Sequence, residues 1–183
     1  MPIPDFDHNY VIPPHLGDPR LPSDVSPFAC TILEFCQKFS TSPQRIALLD
    51  RFLLFRSKMR DVGINNGFQW IDGSFLEHIE ESQSRHPNDI DIVTFFSGFT
   101  IKDLYEIKPI FPEFFSSTLS KSMYTLDHYF VPIDHDPIFT VESTRYWIQL
   151  FTHKRNGIWK GMLKIEIGTL ADDIDAINYL NSL

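Results

Sequence analysis

One eight-residue run, Asp89-Ile90-Asp91-Ile92-Val93-Thr94-Phe95-Phe96, constrains the fold more than any other stretch of this 183-residue chain. Side chains alternate along a β-strand, so Asp89, Asp91, Val93 and Phe95 point one way and Ile90, Ile92 and Phe96 the other. Beyond the two aspartates both sides are apolar, which is the pattern of a strand buried on both faces. Such a strand needs a layer of structure above it and another below.

The surrounding sequence supplies those layers. Ser26-Pro27 and Ser42-Pro43 both read as an N-cap with proline at the first helical position. The second opens a long helix with Ile46, Leu49, Leu53 and Val62 near one stripe and Arg45, Arg51, Arg56 and Lys58 off it. Asn65-Asn66-Gly67 is the expected stop, because these residues tolerate positive φ. Phe68–Ile71 predicts a short strand, Glu77–Asn88 a polar connection, and residues 100–120 two short helical patterns broken at Pro109 and Pro112. Met123–Ile133 and Ile158–Ile167 predict further strands, Val141–Lys154 an amphipathic helix and residues 170–183 a terminal helix. The implied class is mixed α/β, a mixed β-sheet covered by helices.

Seven prolines fall within residues 1–27, so this segment is expected to be an extended arm lying on a single domain spanning 28–183. With 43% hydrophobic residues and 17 Phe, that domain has the material for a ring-rich core. The N-terminus lacks the basic start and apolar stretch of a secretory signal, and no apolar run reaches the ~20 residues that span a bilayer. Cys30 and Cys36, expected within one helix, would stand too far apart for a disulfide. A reduced, cytoplasmic protein without a membrane partner is therefore expected. The net charge of -8 argues against gripping extended DNA through its phosphates, but not against a nucleotide whose charge a metal neutralises.

Asp89 and Asp91 carry the chemistry. At ~4–5 Å and an effective dielectric of ~20 two like charges repel by roughly 3–4 kcal/mol. A divalent cation turns that repulsion into binding, and Mg²⁺ prefers carboxylate oxygen. The competing reading is a strand end with two solvated carboxylates. Gly73-Ser74, placed after the short strand, adds a second element: glycine permits close backbone approach, and serine donates to phosphate oxygens.

A Gly-Ser turn after a short strand, followed by an Asp-x-Asp strand, resembles the signature of the DNA polymerase beta-like nucleotidyltransferase superfamily. Trp70-Ile71-Asp72-Gly73-Ser74-Phe75 and Pro87-Asn88-Asp89-Ile90-Asp91-Ile92-Val93 carry the match. The Pro-rich start, the helix from Ser42 and the stretch from Tyr146-Trp147 to Lys160-Gly161 look further like a small, uncharacterised family of nucleotidyltransferase-like proteins. The resemblance implies a nucleotidyltransferase fold in which Gly73 and Ser74 bind the triphosphate, and Asp89 and Asp91 bind Mg²⁺ or Mn²⁺. It also requires a third carboxylate from a neighbouring strand. Asp127 fits, as metal ligand and general base; Asp134 and Asp136 fall at a turn, and Glu166 at a surface or edge position. Lys154, Arg155, Lys160 and Lys164 would face a triphosphate or an acceptor, or else form a solvated hairpin.

The sequence departs from the pattern in two places. Fourteen residues separate Ser74 from Asp89, slightly more than usual, and Phe75-Leu76-Glu77-His78 stands where minimal members carry an arginine. Arg85 and His86 are the candidates to replace it. His78, His86, His128, His135 and His153 show no metal spacing, and neither a Walker loop nor a Gly-x-Ser-x-Gly elbow is present. The expected activity is metal-dependent transfer of a nucleotidyl group from an NTP to a hydroxyl on a protein or RNA acceptor. The alternative is a non-catalytic interaction protein that keeps the fold.

Overall fold

The computed structural model describes residues 3–183; Met1 and Pro2, the first residues of the expected arm, lie outside it. Strands β1 (Phe28–Ala29), β2 (Gly67–Asp72), β3 (Ile90–Phe96), β4 (Leu126–Pro132) and β5 (Leu163–Glu166) form one sheet in the order β1-β5-β2-β3-β4. The β1/β5 and β3/β4 pairs are parallel, while β2 runs antiparallel to both β5 and β3. Helices α1 (Ile32–Phe39), α2 (Pro43–Asp61), α3 (Ile79–Gln83), α4 (Ile101–Ile107), α5 (Ser117–Tyr124), α6 (Pro137–Phe151) and α7 (Leu170–Leu180) complete a mixed α/β architecture.

The alternation along β3 divides two cores. Ile90, Ile92 and Phe96 pack with α1, α2, α7 and the Phe111/Phe114 pair into the main core. Val93 and Phe95 join Trp70, Val131 and Met162 beneath Trp147 and Phe151 of α6. Phe55, Phe111 and Phe114 surround the His128 ring, so aromatic contacts dominate the larger side.

Several local expectations yield to tertiary contacts. Ser26-Pro27 caps no helix; it leads into β1, and α1 starts later behind a Thr31/Glu34 capping box. Cys30 consequently precedes α1, and both cysteines are free. The α2 helix stops at Gly63 (φ +84°), with Ile64 N–H donating to Met59 O at 2.9 Å, and Gly67 opens β2 instead. Asp136 accepts from the N–H groups of Ile138 and Phe139, which starts α6 at Pro137 rather than Val141. The polar connection contains α3, and the last strand contracts to Leu163–Glu166 because Gly161 is tied to the arm through its N–H to Ile12 O at 2.6 Å. That arm lies against the domain with Val11 and Ile12 fully buried, and it turns at Asp7–Tyr10 and at Pro22–Asp24.

Arg45 and Arg56, placed off the apolar stripe by periodicity, are both 2% exposed. Each is buried because it satisfies several acceptors at once. Arg56 donates to Gln69 Oε1 (2.7 Å), Glu166 O (3.0 Å) and Asp173 Oδ1 (2.8 Å); Arg45 donates to Phe75 O (2.6 Å), Glu77 O (2.7 Å) and Glu80. Among the described residues no helix is long and apolar enough to cross a membrane.

Candidate functional site

Register places the carboxylates. Asp72, the last residue of β2, pairs with Asp91 of β3, and Asp91 pairs with Asp127 of β4. All three belong to the sheet face that carries Trp70, Val93 and Val131, and Asp89 precedes Asp91 on the same side. Four aspartates therefore meet at one end of three adjacent strands, where α6 does not cover the sheet. They line an open cavity of about 810 Å³ together with Gly73 and Ser74.

The turn after β2 is built for close approach. Gly73 has φ +82°, and a Cβ there would sit 1.7 Å from Asp91 Oδ2, so the position admits only hydrogen. Ser74–Leu76 forms a single 3-10 turn behind it. Arg45 holds that turn from below through Phe75 O and Glu77 O, with its guanidinium 4.9 Å from the Phe75 ring centroid. The arm closes the far side, where Tyr10 O accepts from His78 N–H.

Cations interleave with the acids. Lys160 Nζ lies 3.0 Å from Asp72 Oδ1, 3.2 Å from Glu77 Oε1 and 3.4 Å from Gly73 O, bracketing the turn on both flanks. Lys154 pairs with Glu77 at 3.0 Å, and Lys121 with Asp89 at 2.6 Å. The contact of Asp72 Oδ1 with Lys160 is an ion pair without hydrogen-bond geometry, which leaves that buried oxygen lacking a hydrogen-bond partner. Burial raises the Asp72 carboxyl and Lys160 opposes it. Burial also works against the Lys160 ammonium, yet Asp72 and Glu77 hold its pKa above the usual lysine value. Asp91 is pushed up to about 6, first by burial and then by the Asp89 and Asp127 charges. His128, on the opposite face, is pushed down to about 3 by burial and stays neutral.

Asp89, Asp91, Asp127, Gly73 and Ser74 all line the cavity, as do Lys154, Arg155, Lys160 and Arg85. Lys164 does not; it pairs with Glu166 and lies over the Phe68 ring. Asp134 and Asp136 sit at the turn before α6, and Glu166 is exposed. Asp72, Glu77, Arg45 and Lys121 are additional site residues. Asp72 sits beside Gly73 in the motif, but only pairing with Asp91 puts it in the row.

Among the described residues no three His, Cys, Asp or Glu side chains form a ready metal-ligand set. Lys121 and Lys160 separate the carboxylates in the cation-free cleft. The donor chemistry nonetheless fits a hard divalent cation: the available ligands are carboxylate oxygens, and Asp72 Oδ1 is a buried acceptor without a donor.

The raised pKa of Asp91 has a measurable consequence. Its folded value, about 6, exceeds the unfolded 3.8, so the folded state holds the proton more tightly. The resulting penalty is absent below about pH 4, grows to about pH 6 and is constant above. Asp91→Asn is expected to stabilise the metal-free protein by about 1–2 kcal/mol at neutral pH, the scale of a one-unit shift or slightly more. Urea unfolding in EDTA should show that gap closing under acid conditions; a gap independent of pH would exclude the titration of Asp91 as its source.

Fold and site together define a mixed α/β domain with an acid-lined, lysine-balanced cleft at the end of its sheet. The chain belongs to DUF6932, a family of unknown function whose match covers residues 4–166. No curated protein and no solved structure matches it.

Proposed function

We propose that the domain has a nucleotidyltransferase fold and transfers a nucleotidyl group from a nucleoside triphosphate to a hydroxyl of a protein or RNA acceptor. The observation that carries this reading is the closure of the Gly73 turn onto Asp91, with Asp127 beside Asp91 in register. Asp89, Asp91 and Asp127 would hold Mg²⁺ or Mn²⁺, which stabilises charge on the attacking and leaving oxygens. Gly73 and Ser74 bind the β/γ phosphates, with Arg85, Lys154 and Arg155 on the cavity wall in place of the absent arginine. Asp127 takes the proton of the acceptor hydroxyl as its oxygen bonds to the α-phosphorus. The bond from that phosphorus to the bridging oxygen breaks, and pyrophosphate leaves. Two free thiols, each pushed up to about 12 mainly by burial, suit a reducing compartment such as the cytoplasm.

A second reading is a non-catalytic interaction protein with the same fold. It is favoured by the apolar residues that α6 exposes, including Ile138 at 76% and Val141 at 65%. Thermal-shift measurements with each of the four NTPs, with and without Mg²⁺ or Mn²⁺, separate the two. The enzyme predicts a shift that needs both nucleotide and metal. Unchanged melting throughout transfers the weight to the interaction protein.

A further inference from the structure

The two lysines set against the aspartates differ in how firmly they are held. The Lys160 side chain is 4% exposed and fixed between Asp72 and Glu77. Lys121, in the last turn of α5, keeps 54% of its side chain in solvent, and its one ion pair among the described residues is with Asp89. An ion pair this exposed opens at little cost. With Glu77 matched by Lys154, four aspartates face two ammonium groups, leaving two formal negative charges, the charge of one divalent cation.

Lys121 also has somewhere to go. Beyond Asp127 lies a second open cavity of about 500 Å³, bordered by Ser117, Thr118, Ser122 and Tyr129, and both Lys121 and Asp127 line it as well as the first. Its hydroxyl groups accept from an ammonium group. An independent feature points to a cation in the first cavity: Asp72 Oδ1, buried and without a hydrogen-bond donor.

We propose that Lys121 is a displaceable counter-ion: it holds Asp89 while the cleft lacks a divalent cation, and it swings toward the hydroxyl-lined cavity when one binds. The device limits loose cation binding, because a metal must displace the ammonium before it gains Asp89. This inference rests on the proposed metal site but not on nucleotidyl transfer.

Mn²⁺ titration followed by electron paramagnetic resonance, on the full chain without nucleotide, tests it in the parent, Lys121→Met, Lys121→Gln and Lys121→Arg. Circular dichroism checks each fold. The two neutral variants are expected to bind Mn²⁺ about tenfold more tightly, equivalent to about 1.4 kcal/mol. The arginine variant should stay close to the parent. Parent binding with equal or weaker affinity in the neutral variants overturns the role of Lys121 while leaving the metal site standing. No Mn²⁺ binding by the parent or either neutral variant overturns both.

Discussion

Asp173→Ala is expected to destabilise the protein by about 3–5 kcal/mol, the loss that follows from removing one partner of a buried ion pair. Asp173 is 1% exposed and receives hydrogen bonds from Arg56 Nε and Nη2, and it also pairs with Arg60. Without it the Arg56 guanidinium keeps Gln69, Glu166 and Thr169 as acceptors but loses its neutralising charge inside the core. Small domains have about 5–15 kcal/mol of stability in total, so the substitution removes a large share. Replacing Arg56 and Asp173 together by apolar residues of similar volume should cost less than Asp173→Ala alone, since no stranded charge remains. Urea unfolding checks both; a loss below about 1 kcal/mol for Asp173→Ala would mean that the pair is hydrated in solution.

Gly73→Ala is expected to remove metal-dependent nucleotide binding and to cost about 2–3 kcal/mol of stability from overpacking and backbone strain. The new methyl would lie 1.7 Å from Asp91 Oδ2 and 2.7 Å from its Cγ, at a φ of +82°. Either the turn or the carboxylate must move, and each movement separates phosphate ligand from metal ligand. Asp91→Ala in the same chain removes the atoms that the methyl meets most closely. The stability cost of Gly73→Ala should then shrink to the backbone strain, about 1 kcal/mol. Calorimetry of the single and double variants measures that difference, and an undiminished cost would place the strain elsewhere.

The parts of this arrangement that depend on local pattern are visible in the sequence. Alternation along Asp89–Phe96 separates the two faces that Ile92 and Val93 occupy in the two cores. The proximity of Gly73 to Asp91 is a different matter, because it arises from antiparallel pairing of β2 with β3. The same pairing brings Asp72 into the row, and nothing between residues 68 and 72 announces the register. Arg45 and Arg56 escape periodicity for another reason: a helix-wheel argument counts every arginine as surface. These two instead meet backbone carbonyls and carboxylates from distant segments. Ser26-Pro27 carries a sound local helix-start signal, yet the chain uses Phe28 and Ala29 to pair with Leu163 and Lys164. Lys121 and Lys160 come from α5 and the β5 approach, so their opposition to the aspartates is visible only after folding.

The most direct measurement compares the melting shift given by NTP plus Mg²⁺ in the parent and in Asp91→Asn, with folding of the variant verified by circular dichroism. Asp91 sits at the centre of the row, between Asp72 and Asp127 in register and against Gly73. A metal-dependent nucleotide site therefore predicts a shift in the parent that is absent from Asp91→Asn, even though that variant melts no lower without ligand. A folded Asp91→Asn protein that binds Mg²⁺ and NTP as tightly as the parent would contradict it.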